Sequence, residues 1–233
     1  MKKYYLGSLL ILLSTCLWAC HSNENDTLSL SVSDFEKGIA KENVQILDVR
    51  TMQEYQSGHI KNALLADWTN TDEFISRTES LDKSKAVYAY CFSGARSFKA
   101  AMFLKEKGYT VYHLDGGIAA WKRENRSVEG NNNIKQISLQ EYQSLIPADK
   151  TVLVDIGASW CPPCKKMEPT IESLQKSNGA IFSLVKIDGG EQETLVKALG
   201  ISAFPTFIIY KQGKEYWRKN GIVSEEELME HLK

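Results

Sequence analysis

The stretch Ala86-Val87-Tyr88-Ala89-Tyr90-Cys91-Phe92-Ser93-Gly94-Ala95-Arg96-Ser97 decides how the first half of the chain is read. A short apolar, β-rich run over 86–91 stops at a glycine-containing loop and leads directly into an amphipathic segment. In that segment Phe98, Ala101 and Met102 share one face, while Lys99, Lys105 and Glu106 lie elsewhere. Residues that follow such a strand lie at the carboxyl edge of an α/β sheet, where ligands bind. The next helix turns its unpaired N–H groups toward them. A thiolate at Cys91 is stabilised there, which lowers its pKa below ~8.5 and makes it nucleophilic at neutral pH.

The same alternation extends on both sides. Strands are expected over 44–49, 63–66, 86–91 and 111–114, separated by helical patterns, so the region implies a parallel sheet covered by helices. Residues 127–136, with Glu129-Gly130-Asn131-Asn132-Asn133, are polar and turn-rich and mark a domain boundary. Beyond it we expect a helix over 138–146, a buried strand over 151–157 and a helix over 162–177. A strand over 182–187, a helix over 193–199 and a hairpin of 206–210 with 215–218 around Gln212-Gly213 follow. A last helix starts near Ser224, where Ser224-Glu225-Glu226-Glu227 forms a capping box. The second unit is a small α/β domain with mixed strand directions. Two domains also suit 233 residues. The expected organisation is a signal segment 1–19, a tether 20–32, a first domain 33–129, a linker 130–136 and a second domain 137–233.

Composition excludes little except one class of partner. With 43% hydrophobic and 24% charged residues the chain reads as ordinary globular protein, and a net charge of -1 gives no electrostatic reason to expect nucleic acid. The N-terminus is different. Lys2 and Lys3 precede an apolar stretch over 6–17 that is too short to span a bilayer comfortably and reads as a signal-peptide core. Leu17-Trp18-Ala19-Cys20 follows and resembles a bacterial lipobox, although Trp18 stands where a small residue is usual. The resemblance implies that Cys20 becomes the lipid-bearing first residue of an envelope protein held on a membrane, its domains outside the cytoplasm. Simple secretion, with Cys20 removed or left free, and an uncleaved anchor are the competing readings.

Removing 1–19 and lipidating Cys20 leaves Cys91, Cys161 and Cys164, two neighbours and one alone. In Trp160-Cys161-Pro162-Pro163-Cys164 the two cysteines stand at a helix start, where they can close a disulfide with little backbone movement. The helix N-terminus favours the thiolate of the first. That pattern points to redox chemistry. A zinc site needs two further ligands, and with no second cysteine pair and four scattered histidines no metal is expected.

Residues 33–129 resemble a single rhodanese domain. The matching residues are Asp48-Val49-Arg50 with Glu54-Tyr55, Gly58-His59-Ile60, Asn62-Ala63, the loop Cys91 to Ser97, and Leu114-Asp115-Gly116-Gly117-Ile118 with Trp121. The resemblance implies that Cys91 takes a sulfane sulfur as a persulfide, held by the substrate-binding loop Phe92, Ser93, Gly94, Ala95, Arg96 and Ser97, and passes it to a thiophilic acceptor. Four residues separate Cys91 from Arg96, one fewer than in similar phosphatase loops, and the smaller ring favours sulfur over phosphate. Phe92 stands where thiosulfate users place a cationic or polar residue. Asp48, Arg50 and His59 are expected to be structural pairs and loop supports.

Residues 137–233 resemble thioredoxin. The strand Val152-Leu153-Val154-Asp155 precedes the cysteine motif, Pro169 lies inside the following helix, and Ala203-Phe204-Pro205-Thr206 matches the segment that bears a cis-proline. By resemblance Cys161 is the attacking thiol, Cys164 resolves the mixed disulfide, Asp155 assists proton transfer to Cys164, and Trp160 and Pro205 contact the substrate. Asp155 can also be read as an ordinary strand-end carboxylate. Pro162-Pro163 in place of Gly-Pro resembles envelope thioredoxin-like proteins.

These readings combine into an envelope sulfurtransferase and thiol-disulfide oxidoreductase. No cofactor is expected beyond a redox-active Cys161–Cys164 disulfide and a persulfide on Cys91. Its partners are a sulfane-sulfur donor, thiol or disulfide proteins, and the membrane. The alternative is a dithiol that independently reduces exported proteins, with the first domain a sulfur carrier or a partner-recognition module.

Overall fold

The computed structural model describes residues 28–130 and 135–233. Cys20, the signal segment, the tether as far as residue 27 and linker residues 131–134 lie outside the described residues.

The first domain is a parallel five-stranded sheet with helices on both faces. Along the chain come β1 (Ser29–Leu30), α1 (Val32–Ile39), β2 (Val44–Asp48), α2 (Met52–Gln56), β3 (Leu64–Leu65) and α3 (Thr71–Thr78). β4 (Ala86–Tyr90), α4 (Ala95–Glu106), β5 (Val111–Leu114) and α5 (Gly117–Arg123) complete it. The strand order is β1-β5-β4-β2-β3, and every pairing is parallel. The period-two alternation of a strand explains how the sheet buries both faces. In β4, Tyr88 and Tyr90 enter one apolar cluster, with Phe35, Ile46 and Trp121. Val87, Ala89 and the following Cys91 enter the other, with Leu47, Phe74 and Leu104.

The domain begins earlier than the sequence suggests. β1 pairs with β5, and Ser31 caps α1 by accepting from the Asp34 N–H, so residues 29–32 belong to the fold and not to the tether. A two-residue strand is too short to show periodicity, and its backbone bonds to β5 hold it there, including Asp115 N–H to Leu30 O at 2.9 Å. At the other end, Glu129 pairs with His59 in an isolated antiparallel bridge.

The second domain contains α6 (Leu139–Ser144), β6 (Val152–Gly157), α7 (Pro162–Asn178), β7 (Ser183–Asp188) and α8 (Glu193–Ala198). β8 (Thr206–Lys211), β9 (Lys214–Asn220) and α9 (Glu225–Leu232) follow. Its sheet is mixed, in the order β7-β6-β8-β9, with β6 parallel to β7 and antiparallel to β8. Leu153 of β6 and Phe207 and Ile209 of β8 pack under α7 and α9. Val152, Val154 and Ile156 of β6, with Ile208 of β8, pack with Tyr142 and Leu195 on the opposite face. α7 runs on through Pro169. Ser224 caps α9 by accepting from the Glu227 N–H. Complete reciprocal boxes occur at Thr51 with Glu54 and at Ser138 with Glu141.

Candidate functional site

Cys91 sits at the carboxyl end of β4, 1% exposed, with a left-handed Gly94 (φ 99°) turning the chain into α4. Its Sγ accepts the Gly94 N–H at 3.1 Å and lies 3.6 Å from the hydroxyl of Ser97, which is fully buried. Burial works to raise the Cys91 pKa. The hydroxyl and N–H of Ser97, helped by the N–H groups of Gly94 and Ser93, outweigh that and lower it. The ring is pinned from below by the start of α5, where the Ile118 and Ala119 N–H groups donate to the carbonyls of Cys91 and Phe92 at 2.8 and 3.0 Å. Gly117 permits this approach, since a Cβ there would fall 2.6 Å from the Phe92 carbonyl carbon.

The other loop residues divide by role. Phe92 is 56% exposed at the mouth. Arg96 does not turn to the sulfur but holds Glu54 with two hydrogen bonds, at 2.7 and 2.6 Å. Glu54 also completes the capping box of α2, so Arg96 links the sulfur loop to that helix. Sequence reasoning assigned Glu54 no function; its signal was the Thr51-x-x-Glu54 cap. Asp48 and Arg50 form a fully buried ion pair, and Arg50 also donates to Gly58 O, as expected of structural supports. His59 stacks on Tyr55 and bonds its carbonyl.

In the second domain a disulfide joins Cys161 and Cys164 at the start of α7. Cys161 Sγ accepts the Cys164 N–H at 3.2 Å. A Cβ on Gly157 would lie 3.3 Å from Cys164 Sγ and 3.9 Å from Asp155 Oδ1, so both groups face the space that this glycine leaves. Burial pushes the Asp155 pKa up to about 6 against the pull of Lys186. The Phe204–Pro205 peptide is cis, and Phe204 meets the Trp160 ring edge-on with centroids 5.8 Å apart. Among the described residues no group of histidine, cysteine and acidic side chains could hold a metal ion. None of their helices is long and apolar enough to cross a membrane.

The two domains meet at the redox motif. The Leu65 N–H on the open edge of β3 donates to Trp160 O at 2.8 Å, and Arg77 Nη1 donates to Leu65 O at 3.0 Å. The same guanidinium lies 4.8 Å above the Trp160 ring, which also meets Tyr55 edge-on at 6.4 Å. Neither Leu65 nor Arg77 carries a sequence signal for this contact. Cys91 is elsewhere. β4 and β3 are separated by β2, and the Trp160 backbone lies beyond β3, so two strands stand between Cys91 and the redox motif.

Two folds, each with a cysteine at its carboxyl-edge turn, define a chain of sulfur-handling domains. A model for the rhodanese-like domain matches residues 31–124, and one for thioredoxin matches 133–233. Thiosulfate sulfurtransferase GlpE of Coxiella burnetii is 35% identical over 96 residues, covering 41% of this chain and 87% of that one. Thioredoxin X of Arabidopsis thaliana is 31% identical over 122 residues, 51% of this chain and 67% of that one. Thioredoxin Y2 of the same plant is 37% identical over 99 residues, 42% and 59%. The chain thus spans about three fifths to two thirds of these plant relatives. It belongs to the rhodanese-like family through its first domain and to the thioredoxin family through its second, and its domains are of sulfurtransferase-like and thiol-redox kinds.

Proposed function

We propose that this chain is a lipid-anchored sulfurtransferase and thiol-disulfide oxidoreductase of the bacterial cell envelope, in which the Cys161/Cys164 dithiol discharges a persulfide carried on Cys91. The observation that carries this reading is the Cys91 sulfur, its pKa lowered by the Ser97 hydroxyl and loop N–H groups, on one chain with a redox disulfide. The sequence of the N-terminus supports the envelope location, through Cys20.

The Cys91 thiolate attacks the outer sulfur of a donor R–S–S⁻. The donor's S–S bond breaks, RS⁻ leaves, and Cys91 carries the persulfide on the N–H groups of its loop. Reduced Cys161 then attacks one of the two sulfurs. Attack on the inner sulfur expels hydrosulfide and leaves a Cys91–Cys161 disulfide, which Cys164 resolves by expelling the Cys91 thiolate. Attack on the outer sulfur moves the persulfide to Cys161, and Cys164 then expels hydrosulfide from it. Either way Cys164 gives its proton toward Asp155, the dithiol's two electrons leave on hydrosulfide, and the Cys161–Cys164 disulfide must be reduced again by an external thiol. The resemblance to thioredoxin makes Trp160 and Pro205 the residues that contact the partner of Cys161.

One observation favours the alternative of an independent thiol-disulfide reductase: β2 and β3 stand between β4, which leads into Cys91, and the Trp160 backbone next to Cys161 in the docked arrangement. Sulfide release separates the two readings. Purified, reduced chain dosed with an organic persulfide, whose leaving group is a thiol and not sulfide, should release hydrosulfide only while Cys161 is present, with Cys164 needed to free Cys91 for a second turnover. Equal release from Cys161→Ser protein contradicts the coupled reading.

A further inference from the structure

The interface between the domains covers the very sulfur that must be reached. Cys161 is 1% exposed and Trp160 6%, although each opens the redox motif of a surface turn. They lie in one continuous apolar cluster with Tyr55, Ile60, Ala63 and Leu65 of the first domain, with Cys164 and Phe204 packed against it. A cleft of about 940 Å³ runs between the domains past Tyr55, His59, Glu129 and Trp160, but Cys161 does not line it. A thiol that attacks the disulfide must approach Cys161 along the S–S axis, and in this arrangement protein fills that approach.

The contact is built from main-chain groups that an edge strand leaves free. A parallel edge strand presents the N–H and C=O of alternate residues outward, as an extended peptide would when added to a sheet. Ala66 N–H turns inward to Asp48 O at 3.0 Å, while Leu65 turns both of its groups outward, to Trp160 O and Arg77. Arg77 thus holds the strand by its carbonyl and the redox loop by the Trp160 ring. A second, exposed tie joins Gln56 Nε2 to Glu193 Oε1 at 2.9 Å.

We propose that the edge of β3, clamped by Arg77, is a reversible cap on the dithiol: a closed state that withholds Cys161 both from external partners and from Cys91, and that opens for turnover. The interface suits a cap. Its ties are one backbone hydrogen bond, one cation–π contact and the exposed Gln56–Glu193 hydrogen bond, beside one small apolar cluster, and such joints between domains permit relative motion. Persulfide chemistry is not required; the cap acts on whatever partner the dithiol serves.

The test is the rate at which iodoacetamide alkylates Cys161 in the reduced full-length chain in detergent, read on the Cys161 peptide, in wild type, Arg77→Ala and Gln56→Ala. Circular dichroism and Cys91 labelling report an intact first domain. We expect Arg77→Ala to accelerate Cys161 alkylation at least about tenfold and Gln56→Ala about two- to threefold, with faster amide exchange at Leu65 and unchanged labelling of Cys91. Loss of a nearby positive charge disfavours a thiolate and slows alkylation, so acceleration reports uncovering. Wild-type Cys161 that already reacts as fast as in Arg77→Ala, with an unprotected Leu65 amide, overturns the proposal. So does a folded Arg77→Ala protein that stays as slow as wild type.

Discussion

Arg96 and Glu54, 42 residues apart, meet through a bidentate pair at 2.7 and 2.6 Å that ties the sulfur loop to the first turn of α2. The Arg96 hydrogen bonds hold the Glu54 carboxyl at a pKa of about 2, against the opposing effect of burial and with help from the Thr51 N–H. A depressed carboxyl pKa stabilises the fold fully above its unfolded value and loses that contribution as pH falls through the folded one. Allowing for solvent screening of a part-exposed pair, Glu54→Gln should cost about 1–2 kcal/mol at pH 7. Chemical denaturation should show the gap to wild type narrowing between pH 4.5 and 2. The freed guanidinium should also raise use of thiosulfate relative to polysulfide.

Asp155 has the opposite sign. Its folded pKa of about 6 lies above the ordinary value of 3.8, so ionisation weakens the fold at neutral pH. Asp155→Asn should therefore stabilise the chain by about 1–2 kcal/mol at pH 8 and leave it unchanged below pH 4. Turnover of the dithiol should slow, and its pH dependence near 6 should disappear. Denaturation curves and insulin-reduction rates across pH measure both.

Gly94 holds the backbone that aims its N–H at Cys91. A Cβ at its φ of 99° is strained and would lie 3.2 Å from Gly116 N. Gly94→Ala should cost at least about 1–2 kcal/mol. Alkylation of Cys91 as a function of pH should give a raised apparent pKa and slower persulfide formation.

The longer strands, the two domains and the strand-to-helix turns that carry Cys91, Cys161 and Cys164 were legible because each has a local signature: alternating apolar residues at Val87, Tyr88, Ala89 and Tyr90, a glycine loop after Cys91, two prolines at the start of α7. What was not legible is held by contacts between distant residues. β1 is two residues long and exists through its register with β5. Arg96 reads as part of the substrate-binding loop until its guanidinium is seen to hold Glu54. Leu65 reads only as part of a short strand, Arg77 carries no signal, and Trp160 reads as a redox-loop aromatic; only the fold brings them together.

The lipid site lies outside the described residues and is tested separately. Cys20→Ala should leave sulfur transfer by purified protein unchanged and abolish recovery with the membrane fraction of cells. Continued fractionation with detergent-extracted membranes contradicts a lipid anchor.

The hand-off from Cys91 to the dithiol is tested most directly by trapping it. Cys164→Ser protein is reduced, freed of reductant, given one dose of polysulfide at low protein concentration, quenched in acid and mapped by peptide mass spectrometry. A Cys91–Cys161 disulfide, or sulfur on Cys161, is the expected result, with Cys161→Ser protein retaining its persulfide on Cys91. Sulfur found on Cys91 alone in the Cys164→Ser protein, with no cross-link and none on Cys161, would contradict the coupled mechanism.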